Sequence, residues 1–209
     1  MCCMVSRDLL LVSLGLGAVA EFVGGELAGK RLAFVPDAGA PYEDRSFVER
    51  DRSLLSRMGF DLLEVTLDGK TAVELRSELA DVDVVFVAGG NSFYLLEKAV
   101  ASGFGEVLGE LLDHGVKYIG ASAGAILVGP DLRPVSTLDD PAEAPGLENQ
   151  RGLGLVDFVV LPHYGNEKYL PEYEAIISQY EGELTLVPLR NDQAVWVRGD
   201  KYEVTSSAE

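Results

Sequence analysis

Strand-length apolar runs alternate with helix-length stretches along almost the whole chain, and the runs are continuous in apolar character. They fall at residues 9–14 (LLLVSL), 31–36 (RLAFVP), 60–67 (FDLLEVTL), 83–88 (DVVFVA), 116–120 (VKYIG), 156–162 (VDFVVLP), 184–189 (LTLVPL) and 194–199 (AVWVRG). Helical patterns lie between them at 43–58, 71–80, 92–101 and 168–180. A strand buried on one face alternates apolar and polar residues, whereas a strand covered on both faces reads as an unbroken apolar run. The β-α-β-α order leads to the same arrangement, a mostly parallel sheet with helices on both sides. The expected fold is therefore a three-layer α/β/α domain spanning residues 1–209. The closely spaced segments at 184–204 predict an antiparallel hairpin at a sheet edge. Asn91 is placed to cap the helix that begins SFYLL. Residues 129–154 are Pro/Gly-rich and acidic, and a loop that long in a compact domain is usually functional or mobile.

The start of the chain has two readings. Residues 9–20 (LLLVSLGLGAVA) resemble the apolar part of a signal peptide ending in small residues. Asp8 beside Arg7 removes the clear positive flank such a peptide needs, and the run is too short to span a membrane. A buried first strand is the better reading. The cysteines are Cys2 and Cys3, adjacent and unable to staple a fold, which fits a reducing compartment and a cytoplasmic location. With no Cys/His cluster, neither a metal nor a cofactor is expected. The formal net charge of −17 disfavours nucleic acid as a partner, because phosphates meet a repulsive field.

Function enters at residues 116–128, VKYIGASAGAILV. A short strand runs into Gly120-Ala121-Ser122-Ala123-Gly124 and then a helix. That is G-x-S-x-G in the strand–turn–helix context of a nucleophile elbow. Small neighbours are required because the serine sits on a sharp turn, and the Ala123 N–H is a candidate oxyanion donor. The chain has two histidines. His114 sits at a helix C-terminus before a strand begins, where the helix dipole explains it. His163 follows a strand, on the strand-end face where open α/β sheets place their sites, so it is the base candidate for Ser122. An acid is expected between them in chain order, and Asp131, Asp139, Asp140, Glu143 and Glu148 all qualify. A second oxyanion donor is expected at Gly90, in the turn Gly89-Gly90-Asn91 that ends a strand.

The segments VAGGNSFYLL, YIGASAGAILVGP, STLDDP and LPHY, in that order, resemble the dipeptidase E (α-aspartyl dipeptidase) and cyanophycinase family of serine peptidases. The resemblance implies a flavodoxin-like sheet of the class I glutamine amidotransferase type. It implies Ser122 as nucleophile, His163 as base and Asp139 as acid. Gly90 and Ala123 become the oxyanion donors, and Asn91 the residue beside the substrate. It further implies a short peptide with a free N-terminus as partner, Asp-X dipeptides first, without membrane association, and leaves a homodimer open. After His163 this chain reads YGNEKYLPEYEAI and lacks the family's arginine-bearing segment, so Lys168, Arg133 and Arg151 are the cations left to meet an acidic side chain.

Three rival readings remain. Gly15-Leu16-Gly17-Ala18-Val19-Ala20 after a strand, with Asp37 further on, matches a dinucleotide-binding G-x-G-x-x-A loop, although Pro36 and Gly39 are untypical there. An esterase or amidase of the α/β-hydrolase type shares the elbow but generally needs more chain after its nucleophile. A catalytically idle relative acting as a binding module is the third.

Overall fold

A computed structural model describes residues 7–167 and 169–208. Cys2, Cys3 and Lys168 lie outside the described residues. Seven strands form one sheet in the order β3-β2-β4-β5-β1-β8-β9. Its parallel part comprises β1 (Asp8–Val12), β2 (Arg31–Val35), β3 (Asp61–Glu64), β4 (Val84–Val87) and β5 (Lys117–Ala121). The apolar run near the start is thus a strand held between β5 and β8, with Leu9 to Val12 buried.

Both faces of the sheet are covered, which is why its strands read as unbroken apolar runs. Successive residues point to opposite sides. Leu10, Val12, Leu32, Phe34, Val84 and Phe86 pack with Val19 and Phe22 of α1 (Val19–Val23) and Val48 and Leu55 of α2 (Ser46–Arg57). Leu9, Leu11, Ala33, Val35, Val85 and Val87 face the other layer. That layer contains α3 (Ala72–Glu78), α4 (Ser92–Ser102), α5 (Phe104–Asp113), α6 (Ala123–Leu127) and α7 (Leu170–Tyr180). This is the mostly parallel, three-layer α/β class expected from the sequence.

The C-terminal third departs from expectation in one respect. β6 (Phe158–Leu161) and β7 (Thr185–Pro188) pair in parallel with each other in a separate two-stranded sheet. The predicted edge hairpin exists one strand later, between β8 (Gln193–Arg198) and β9 (Lys201–Ser206), antiparallel at the end of the main sheet. β9 is exposed along nearly its whole length, so it carries little of the apolar signal that marks the other strands.

Two details fix the strand-end face. Asn91 caps α4 as the sequence suggests, its Oδ1 accepting from the Tyr94 N–H at 2.8 Å. Asp37, just past β2, is buried. Its Oδ1 accepts from the Thr66 hydroxyl at 3.0 Å, the Leu67 N–H at 2.9 Å and the Asp68 N–H at 3.0 Å, while Oδ2 is buried without a hydrogen bond. Burial pushes its carboxyl above the usual 3.8, opposed by those bonds.

Candidate active site

Ser122 directly follows β5 at φ 49° and ψ −104°, so its side chain stands clear of the sheet. The flanking glycines answer to contact. A Cβ on Gly120 would lie 2.4 Å from the Gly124 carbonyl oxygen, and one on Gly124 would lie 2.4 Å from that of Val87. A Cβ on Gly89 would come within 3.2 Å of the Ser122 Cβ. The elbow thus needs small residues on its own strand and on β4 beside it. Tyr118 braces it from below, donating its hydroxyl to the Gly124 carbonyl at 2.7 Å. The following helix, α6, has only five residues, so backbone N–H groups rather than a long helix dipole present themselves to the site.

His163 follows β6 from the second sheet and takes φ 64°. Among the described residues, Ser122 and His163 are the two non-glycine residues at positive φ. Such a conformation costs of order 1–3 kcal/mol and persists only where the surroundings over-determine it. The constraint on His163 is visible, since its N–H donates to Ser13 Oγ at 2.8 Å. Ser122 Oγ lies 3.0 Å from His163 Nε2.

The other ring nitrogen decides the tautomer. His163 Nδ1 lies 2.8 Å from Asn191 Oδ1. An amide oxygen only accepts, so Nδ1 carries the proton and Nε2 offers its lone pair to the serine hydroxyl. Asp139, expected in this position, makes its hydrogen bonds elsewhere. Asp139 Oδ2 accepts from the Ser92 N–H at 2.9 Å and the Ser92 hydroxyl at 2.5 Å, at the start of α4. It lines the same cavity as Ser122 and His163 but does not orient the ring. Burial pushes the Asp139 carboxyl up, and the Ser92 bonds and the nearby His163 pull it back. The other candidate acids stand elsewhere. Asp140 caps a short turn through the Ala142 N–H at 2.9 Å, and Asp131 bonds Arg133 at 2.7 Å.

Asn191 escaped the sequence argument because that argument looked for an acid between the serine and the histidine. The available signal was positional. Asn191 sits in the turn after β7, beside β6, whose own end carries His163. Asn91, expected beside the substrate, is 1% exposed. Its Nδ2 donates to the Asp140 carbonyl at 2.9 Å, so it ties the 129–154 loop to α4. Gly90 and Ala123 flank the elbow, and among the described residues neither N–H donates a hydrogen bond. His114 lies at the opposite end of β5, its Nδ1 2.7 Å from the Glu110 carbonyl oxygen of α5.

The site opens into a cavity of about 530 Å³, within the range that holds small ligands. Arg133 is paired with Asp131 and Glu183 away from this cavity. Among the described residues that line it, the arginine is Arg50 of α2, which no motif announced. Among the described residues, no group of three or more His, Cys, Asp or Glu side chains is arranged to hold a metal ion. No described helix is long and apolar enough to cross a membrane.

The G-x-G-x-x-A stretch is not a nucleotide loop. A Cβ on Gly15 would lie 2.1 Å from the Ser207 carbonyl oxygen, and one on Gly17 would lie 1.7 Å from that of Ala208. These glycines make room for the C-terminal segment, which fills the space a pyrophosphate would need. Asp37, the expected ribose partner, is buried on the 66–68 loop.

A mostly parallel α/β sheet carrying a strained serine–histidine pair at its strand ends has the architecture of a hydrolase, and comparison with known proteins agrees. The profile of peptidase family S51 matches residues 15–205. The chain is 32% identical over 195 residues to the uncharacterized peptidase Lmo0363 of Listeria monocytogenes, covering 92% of this chain and 95% of that one. It is 35% identical over 182 residues to Peptidase E of Streptomyces coelicolor, covering 83% and 70%. A crystal structure from L. monocytogenes EGD-e, of a protein named for peptidase E, superposes with TM-score 0.89 at 29% identity, covering 97% and 99%. A peptidase from an acI-B1 actinobacterium shares the fold, with TM-score 0.71 at 20% identity over 97% and 88%. The protein is a peptidase, and it belongs to family S51.

Proposed function

We propose that the chain is a single-domain, cytoplasmic serine exopeptidase of the dipeptidase E type, acting on short peptides with a free N-terminus, with Asp-X dipeptides first. The observation that carries this reading is the 3.0 Å approach of Ser122 Oγ to His163 Nε2, with both residues held at positive φ. In this mechanism Ser122 Oγ attacks the scissile carbonyl carbon while its proton passes to His163 Nε2. Negative charge on the carbonyl oxygen is met by the N–H groups of Gly90 and Ala123. The C–N bond then breaks as His163 returns the proton to the departing amine. Water hydrolyses the acyl-serine by the same steps, with His163 again as base. Asn191 holds the tautomer and orientation of His163, the part a carboxylate plays in the usual triad. Asp139 faces the cavity with Oδ1 outside its Ser92 bonds, and takes the ammonium of the free N-terminus.

The test is cleavage of Asp-Leu, its N-acetylated form and casein by the wild type and Ser122→Ala. Wild type cuts the free dipeptide, acetylation suppresses the rate, casein is spared, and a fluorophosphonate probe labels wild type alone. Loss of the nucleophile costs several orders of magnitude in kcat/KM. Ser122→Ala retaining more than about a tenth of the wild-type value would rule out the nucleophile. Equal cleavage of the acetylated peptide would rule out N-terminal recognition.

A further inference from the structure

Arg50 is bound in a way that leaves it half used. Its Nε and Nη2 donate to Asp51 Oδ1 at 3.1 Å and 2.6 Å, and Nη2 also donates to the Leu14 carbonyl at 3.1 Å. A guanidinium has five N–H donors. Three are spoken for by these bonds, and Nη1, with the remaining two, makes no hydrogen bond among the described residues. The Arg50 side chain is 36% exposed, whereas that of Asp51 is 5% exposed. The buried carboxylate fixes the guanidinium plane, and the free edge belongs to a residue lining the cavity. The two free N–H groups diverge from one nitrogen, so a carboxylate oxygen can take one of them in a single charge-assisted bond.

Its position says which carboxylate. Strand order places β5, which carries Ser122, between β4 and β1. The Gly89-Gly90 turn ends β4, so the oxyanion side lies there. The other side belongs to the base. Beyond β1, Ser13 Oγ receives the His163 N–H at 2.8 Å and the Gly15 N–H donates to the Asn191 carbonyl at 3.0 Å. Leu14, between these two, holds Arg50 through its carbonyl. Arg50 is therefore anchored on the His163 side of the nucleophile. The departing amine must leave on that side, because His163 protonates it. In a dipeptide the carbon next to that amine bears the C-terminal carboxylate. In a longer peptide an amide stands there instead.

We propose that Arg50 binds the C-terminal carboxylate of the leaving amino acid, so that the site measures dipeptide length from the far end. This deepens the peptidase reading and rests on it. With a net charge of −17, a local cation is also what allows a carboxylate to approach at all.

The experiment compares four probes, Asp-Leu, Ala-Leu and the C-terminal amide of each. kcat/KM is measured for wild type, Arg50→Gln and Arg50→Lys, and calorimetric binding for Ser122→Ala with and without Arg50→Gln. Wild type is expected to prefer acid over amide by about tenfold or more for both first residues, the size of one charge-assisted contact at a partly exposed site. In Arg50→Gln that ratio falls to near one. Arg50→Lys keeps a charge for Asp51 and secures the fold should Arg50→Gln unfold; a single ammonium cannot hold Asp51 and also reach the ligand as Nη1 does, so its ratio falls several-fold. The proposal is overturned if wild type shows no acid preference in either binding or turnover, or if the substitutions lower acid and amide alike. Loss of the Asp-over-Ala preference alone also overturns it, since Arg50 would then read the first side chain. Binding to the Ser122→Ala protein separates this outcome from failure of the peptidase reading. An acid-over-amide ratio that depends on Arg50 survives even if Ser122 proves not to be the nucleophile.

Discussion

Asn191→Leu removes the acceptor that His163 Nδ1 has among the described residues while keeping a side chain of similar size. In the ground state that contact is a neutral hydrogen bond, worth about 1 kcal/mol net. As the serine proton moves to Nε2 the ring becomes an imidazolium, and the bond to Asn191 becomes charge-assisted, worth roughly 1.5–3 kcal/mol. The interaction is strongest in the transition state, so its loss falls on kcat, by roughly 10- to 150-fold, with KM little changed. Asn191→Asp is the rescue. It keeps the acceptor and adds a charge near the imidazolium, an attraction of up to about 4 kcal/mol at 4 Å with an effective dielectric of 20. Its kcat should match or exceed that of wild type. The assay is steady-state hydrolysis of Asp-Leu by the three proteins, with thermal melts to confirm equal folding. If Asn191→Leu stays within about twofold of wild type in kcat, or acts through KM, the residue does not orient the base. Asn191→Asp falling below Asn191→Leu would refute the tautomer argument itself.

Two further substitutions test the scaffold. Gly124→Ala places a Cβ 2.4 Å from the Val87 carbonyl oxygen, and both are backbone-bound and cannot swing away. Overpacking of this kind costs about 1–3 kcal/mol, or about 2–4 °C of Tm per kcal/mol in a chain this size. Activity should fall further, because Val87 leads directly into the turn that carries Gly90; unchanged Tm and kcat would show that the elbow tolerates a wider turn. Asp37→Asn tests the buried carboxyl. Its folded pKa is raised, so its stabilising contribution is complete below the unfolded value of 3.8 and is lost as pH rises through the folded one. The Tm of Asp37→Asn minus that of wild type should therefore be more positive near pH 7 than near pH 4, a difference in which the shift at Asp139 cancels. A difference flat across that range would mean that the three bonds to Oδ1 offset the burial.

The parts of the fold that were legible are those where burial is two-sided. β1, β2, β4, β5 and β6 lie within the predicted runs to within a residue or two because every position after the first faces a covering layer. β9 was missed because KYEVTS packs on one edge and faces solvent elsewhere. That β6 and β7 form their own sheet is not encoded in their composition, since parallel pairs look alike whichever sheet they join. At the candidate site, the approach of Ser122 to His163, 3.0 Å apart, was legible, because steric need forces small residues around the serine and histidine is scarce. The third partner was not, because His163 Nδ1 asks only for an acceptor. A carboxylate, an amide or a carbonyl would satisfy it, and only the packing of two turns from the second sheet selects Asn191. Arg50 was hidden for a similar reason, as one charge among several on an ordinary helix.

On the proposed mechanism, the serine and the residues that arm it are also separated in time. Ser122 completes β5, but His163 follows β6 and Asn191 follows β7, and β1 gains its second neighbour only with β8. A ribosome adding about 5–20 residues per second exposes the elbow several seconds before its base and orienting amide can dock. The pairing of β1 with β8 spans nearly the whole chain, which places closure of the sheet late. On the proposed mechanism the nascent chain passes through that interval unarmed. On that mechanism a product that stops before β7 carries the serine without its orienting amide, and is harmless to the peptides around it.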